Sequence, residues 1–177
     1  PSYEILYNIS GLKPEEEIWR HLDESVLIMF EELAFSTLLK EAEKLKEGTF
    51  YFHISAESVD YFLKNDVFPA GKKPLFRRVV ICLENYAPQF LKLIDKIKEL
   101  GFRINIHHGI LKHISIETLL SGAIDGVFCH RGEGVNNRLV MFFNYTGMEY
   151  LNDAPIADYQ NVIVRDGKLL TLKNIRE

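Results

Sequence analysis

Cysteine and tryptophan are scarce in this chain, with two cysteines, Cys82 and Cys129, and one tryptophan among 177 residues. Both cysteines lie inside apolar runs and read as small core residues, which excludes a disulfide framework or a zinc knuckle. An excess of basic charge is also missing. The formal net charge is −4, so no global positive field gathers a nucleic-acid polymer or an acidic membrane surface. The local cluster Lys72, Lys73, Arg77 and Arg78 reads as a solvated approach to a strand. No apolar run approaches the ~18 residues that a membrane span requires. No basic segment followed by an apolar stretch opens the sequence, so a secretory signal is not expected and cytoplasmic location is the default. The G-x-G-x-x-G and phosphate-loop patterns are absent, which removes the commonest nucleotide signatures of open α/β sheets. Low-complexity segments, repeats and linkers are lacking too, so residues 1–177 read as a single domain.

What the chain does have is a large apolar share, 47%, arranged as alternating strand and helix signals. Tyr3–Asn8, Thr49–Ser55, Arg78–Leu83, Phe102–His107 and Ala123–His130 read as strands, and Arg78–Leu83 as one buried on both faces. Glu24–Glu47 carries Val26, Phe30, Leu33, Leu38, Ala42 and Leu45 at helical steps, with Gly48 as its stop. Ser55 is placed to cap a helix over Ala56–Lys64, and Ser115 a short one to Ser121. Phe90, Leu91, Ile94, Ile97 and Leu100 form a further helical stripe that Gly101 ends. Towards the end, Arg138–Asn144 reads as a strand and Thr146–Asn152 as a weak helix. Gln160–Val164 and Lys168–Leu172 flank a hairpin turn at Arg165-Asp166-Gly167. Parallel strands with crossover helices follow from this order, in either an open sheet or a barrel.

The polar residues are placed where such folds build sites. Of six histidines, His53, His107 and His130 fall at the predicted carboxyl ends of strands, and His108 adjoins one of them. Glu4 and Glu84 also lie in or beside strands. Loops converge at the carboxyl ends of parallel strands, so Glu4, His53, His107 and His130 can meet there. A carboxylate within an apolar strand, as at Glu4, calls for a cation, a hydrogen-bonding cluster or water. His107 and His108 point to opposite faces unless the strand has already ended. His21 and His113 read as surface residues. The plainer alternative is that these imidazoles simply hydrogen-bond one another.

These residues resemble the EAL family of cyclic di-GMP phosphodiesterases. Tyr3-Glu4-Ile5-Leu6 resembles the Glu-Ala-Leu motif, and Phe52-His53-Ile54-Ser55-Ala56 the Asn-Leu-Ser-Ala segment. Val79-Val80-Ile81-Cys82-Leu83-Glu84 is similar to the Glu-x-x-Glu strand, and the stretch through His107-His108 to the strand that carries Asp-Asp-Phe-Gly. Ala123 to His130 resembles the Val-Asp-x-x-Lys-x-Asp segment, and Asp158-Tyr159-Gln160-Asn161 the late Gln-Gly segment. A second, shorter likeness is that of His130-Arg131-Gly132-Glu133 to the His-Arg-Gly motif of glycerophosphodiester phosphodiesterases.

The EAL resemblance implies an α/β fold: a TIM-like (β/α)-barrel with mostly parallel strands, trimmed because the chain is about sixty residues short of eight full units. It also implies a pair of Mg²⁺ or Mn²⁺ ions that activate water against a phosphodiester. Several matched positions depart from that pattern. Glu4, Glu84 and Gln160 are kept as ligand-binding candidates, while Asn8 stands where a phosphate-binding arginine is expected. His53 replaces the metal-binding asparagine, His107 and His108 replace two aspartates, and His130 replaces a third. Ile81 stands for an acid and Phe128 for the catalytic lysine.

The expectation is a catalytically degenerate EAL-type domain that serves as a regulatory or binding module for a nucleotide or protein signalling partner, without efficient hydrolysis. A competing expectation is a metal-dependent phosphodiesterase or other hydrolase. Its centre would be one borderline transition metal ion on Glu4, His53, His107 and His130, since imidazole suits Zn²⁺, Ni²⁺ or Fe²⁺ better than Mg²⁺. A third is a structural module that forms a homodimer through the trimmed barrel edge.

Overall fold

A computed structural model describes residues 2–5, 22–130, 133, 137–153 and 162–164. Seven parallel strands run in sequence order across one sheet: β1 (Ser2–Ile5), β2 (Thr49–Ile54), β3 (Val79–Leu83), β4 (Arg103–His107), β5 (Gly126–Phe128), β6 (Glu149–Asn152) and β7 (Val162–Val164). The sheet curls into a half-barrel, with β1 and β7 at its two edges. The crossovers carry α1 (Glu24–Lys44), α2 (Ala56–Lys64), α3 (Lys73–Phe76), α4 (Phe90–Leu100), α5 (Ile116–Leu120) and α6 (Asn137–Thr146). The parallel order is what the alternation of elements predicts, and the trimmed, TIM-like α/β architecture is what the resemblance implies. No described helix is long and apolar enough to cross a membrane.

Strand alternation divides the core in two. Phe50, Phe52, Ile54, Val79, Ile81, Leu83, Ile104, Ile106, Val127 and Tyr150 pack in one cluster with buried residues of the helices, such as Phe35, Phe62 and Ile97. Tyr51, Val80, Cys82, Phe128 and Leu151 form a smaller cluster on the concave face. Register ties the concave positions together: Glu4 pairs with Tyr51, His53 with Cys82, Cys82 with Asn105, and His107 with Phe128. Glu4, His53 and His107 therefore share the concave face, because side chains of paired residues point the same way. Ile81 is on the opposite, helix-facing side, so its apolar character is a packing requirement and not the loss of a ligand from the mouth.

Lower on the concave face, Glu149 accepts from the Tyr51 hydroxyl at 2.8 Å, Arg103 Nη2 at 2.6 Å and Asn105 Nδ2 at 3.1 Å. Gly126 makes room for this cluster, since a Cβ there would lie 2.6 Å from Asn105 Oδ1 and 2.7 Å from the Glu149 carbonyl.

Local signals hold in most elements. Ser55 and Ser115 accept from the amides of Ser58 and Thr118 and so cap α2 and α5. Gly101 ends α4 with φ +97°. Both cysteines are buried and free. Arg78 is not a solvated charge: it donates to the carbonyls of Gly48 and Ala42 and lies 5.3 Å above the Phe50 ring.

Three expectations need correction. The run Arg138–Asn144 lies in helix α6 and is not a strand. Its five successive apolar residues suit either element, and the helix turns Phe143 into the core while Met141 and Tyr145 face solvent. Thr146–Asn152 is not a helix, because Gly147 at φ +69° ends α6 and Glu149–Asn152 forms β6. On α1 the buried face is Glu31, Phe35, Leu38, Leu39 and Ala42, whereas Leu33 is 66% exposed. The hairpin at Arg165-Asp166-Gly167 and the strand Lys168–Leu172 lie outside the described residues.

Candidate functional site

The carboxyl ends of β1 to β5 bring together Glu4, His53, Glu84, His107, His108 and His130. His53, near the end of β2, is at the centre of one group. Its Nε2 is 2.8 Å from Glu4 Oε1 and its Nδ1 is 2.6 Å from Glu84 Oε1. Glu84, just past β3, also meets His130 Nε2 at 3.0 Å through its other oxygen. The result is a continuous chain, Glu4–His53–Glu84–His130, across four crossovers of the fold.

A carboxyl oxygen on each ring nitrogen favours both nitrogens as donors, and so an imidazolium at His53. Burial pushes its pKa down, but the hydrogen bonds and charges of Glu4 and Glu84 outweigh burial and raise it to about 9. Glu84 is the counterpart: burial pushes its pKa up, and His130 and His53 hold it well below the ordinary carboxylate range. The cation that Glu4 requires is thus supplied from within the protein.

The second group surrounds Glu133. Its Oε2 accepts from the His130 backbone N–H at 2.7 Å and lies 3.1 Å from His107 Nε2 and 3.5 Å from His108 Nε2. His107 is the last residue of β4, and a 3-10 segment begins at His108. The strand has ended, so the two neighbouring imidazoles turn the same way, with ring centroids 4.5 Å apart. Burial lowers the pKa of His107, helped by the like charges of His130 and His108 and opposed by Glu133.

Phe128 lines both groups, which adjoin directly: the His107 and His130 rings lie 4.4 Å apart between centroids. Its fully buried ring meets the edge of His53 at 4.8 Å, His107 at 5.4 Å and His130 at 5.9 Å between centroids. An apolar wall stands where the family pattern has a lysine. His113 is exposed and stacks on Tyr86. Asn8 and Gln160, the two further ligand-binding candidates, and His21 lie outside the described residues.

Two acidic residues escaped the sequence reading. Glu133 appeared only within a weak tetrapeptide likeness, and its signal was the three-residue spacing from His130. Glu31 on α1 is 4% exposed and accepts from the Ser55 amide at 3.1 Å and the Ser55 hydroxyl at 2.8 Å, at the start of α2. Burial raises its pKa to about 7, although Ser58 and Ser55 oppose the shift. The folded state therefore holds this proton more tightly than the unfolded chain. The stability this contributes is complete below pH 4.5 and is lost as pH rises towards 7. Urea unfolding at pH 5 and pH 8 should show this loss, roughly 3 kcal/mol at full size, and Glu31→Gln should reduce the pH slope. An unchanged pH slope in that variant would remove Glu31 as its source.

No family model matches the chain, and no curated protein matches it. Among solved structures, Vibrio cholerae LapD, in a form comprising an S helix with GGDEF and EAL regions in the apo state, is similar with a TM-score of 0.55 and 8% identity. The similarity covers 84% of this chain and 42% of that one, so the chain spans less than half the length of the structure it matches. At this identity the likeness concerns the fold alone.

Proposed function

We propose that this chain is a catalytically degenerate EAL-type domain that works by binding, as a regulatory module in cyclic di-GMP signalling. The observation that carries the reading is the imidazolium of His53 between Glu4 and Glu84. These are the acids that the resemblance assigns to the metal ions, and here they neutralise an internal cation. A pair of Mg²⁺ ions needs many oxygen ligands in near-octahedral geometry. The residues present do not fit that pair: Glu4 and Glu84 are engaged, imidazoles replace the other oxygens, and Phe128 is buried at the lysine position.

Incubation of the protein with cyclic di-GMP and Mg²⁺ or Mn²⁺ is expected to give no hydrolysis above background. A turnover near ~1 s⁻¹, within the ordinary enzyme range, would overturn the degenerate reading. With neither the arginine nor the lysine of the family pattern, nucleotide affinity should be weak, since charge-assisted contacts are about twice as strong as neutral ones. Calorimetric titration is expected to show no submicromolar binding, which would leave a protein as the regulatory partner. A submicromolar dissociation constant would instead make the domain a nucleotide receptor.

A further inference from the structure

We infer that His107, His108 and Glu133 form a site for one divalent cation of the Zn²⁺, Ni²⁺ or Fe²⁺ class, with coordination positions left over for water or an anionic oxygen. The ligand atoms of these three residues all lie within 4.8 Å of one another. Two donors bound to one ion at about 2.0–2.1 Å in tetrahedral geometry are roughly 3.3–3.4 Å apart. The observed separations from Glu133 Oε2 are 3.1 Å to His107 and 3.5 Å to His108. An ion would take the place of the proton that now bridges His107 Nε2 and Glu133 Oε2.

The type of ion follows from the donors. Two imidazoles and a carboxylate suit borderline metals, while hard ions prefer all-oxygen shells. Three protein ligands are too few to close a tetrahedral shell, so the fourth position is open. Side-chain exposure rises from 12% at His107 to 24% at His108 and 35% at Glu133, which puts that opening towards solvent.

The other histidines of the mouth are committed elsewhere. His53 has carboxylate oxygens at both nitrogens, and His130 Nε2 faces Glu84. The set that the geometry favours is therefore not Glu4, His53, His107 and His130, and it shares only His107 with them. Binding has one local cost. His107 Nδ1 accepts a long 3.3 Å bond from the Gly109 amide, so its proton is on Nε2. An ion at Nε2 moves that proton to Nδ1 and releases the amide of Gly109, which is exposed and can turn to water.

The inference does not depend on the nucleotide reading, because its test uses metal alone. Protein stripped with a chelator is titrated with Co²⁺, followed by its visible absorption, and with Zn²⁺, followed by elemental analysis. Near one equivalent is expected in the wild type. Affinity should fall about tenfold or more in His108→Ala and in Glu133→Gln, and stay unchanged in His113→Ala. Glu133→Gln is nearly isosteric and keeps an acceptor for the His130 amide, so loss of the ion there is not loss of fold; thermal unfolding of each variant checks this. Absence of binding in the wild type would overturn the inference, as would full retention in both ligand variants. Loss in His53→Gln with retention in His108→Ala would also overturn it, by moving the ion to the Glu4–His53 group.

Discussion

Replacing His53 with leucine should destabilise the protein by about 3 kcal/mol near pH 6, the cost expected when one partner of a buried ion pair is removed. His53 meets Glu4 at 2.8 Å and Glu84 at 2.6 Å, and its side chain is 12% exposed. Without the imidazolium, Glu4 and Glu84 face each other with less solvent than two carboxylates need. The pH window follows from the shifts. The folded pKa of His53 is raised to about 9, so its contribution is complete below pH 6.5 and is lost as pH rises through 9. The pKa of Glu84 is depressed, so its contribution is present above pH 4.5 and is lost on acidification below that. The gap between wild type and His53→Leu should therefore be widest at about pH 5–6.5 and narrow towards pH 9. Adding Glu84→Gln should recover part of the loss, because one of the two facing negative charges then disappears. Chemical unfolding across that range measures all of this. A gap that widens from pH 6.5 to pH 9 would show that His53 is neutral in the folded state.

How much of this was legible beforehand depends on the kind of signal. Parallel order, the carboxyl-end positions of His53, His107 and His130, and the caps at Ser55 and Ser115 all follow from local rules, and each is found where those rules put it. The late elements were misread because Leu139 to Phe143 is uninterrupted apolar sequence, which carries no period to separate helix from strand. Glu31 was missed because a charge on a helix ordinarily marks its wet face, whereas this one meets the first turn of α2. Ile81 and Glu84 are three residues apart, so alternation alone puts them on opposite sides of the strand. Matching both to one ligand set followed the motif against that rule. The ion pairing of Glu4 with His53 was outside the reach of local rules, since it joins residues 49 apart in sequence through strand register.

Phe128 should prove the most costly position in the mouth to change, and lysine should be worse there than alanine. The ring is fully buried among Tyr51, Val80, Cys82 and Leu151, with His53, His107 and His130 at its rim. Phe128→Ala leaves a cavity on the concave face and should cost about 3–5 kcal/mol, the usual range for a buried phenylalanine. At this size each kcal/mol lowers Tm by about 2–4 °C. Phe128→Lys fills more of the volume but places an ammonium beside the His53 imidazolium, whose two carboxylates are already engaged. Burying a charge without a free partner costs several kcal/mol, so the lysine variant should melt below the alanine variant. It should also gain no hydrolysis of cyclic di-GMP with Mg²⁺, although it restores the residue that the family pattern has there. Differential scanning calorimetry of the two variants, followed by a hydrolysis assay below the lower Tm, decides the matter. If the lysine variant is the more stable of the two, Glu4 and Glu84 have negative charge to spare. The proposal that His53 has taken over the role of the missing ions would then fail.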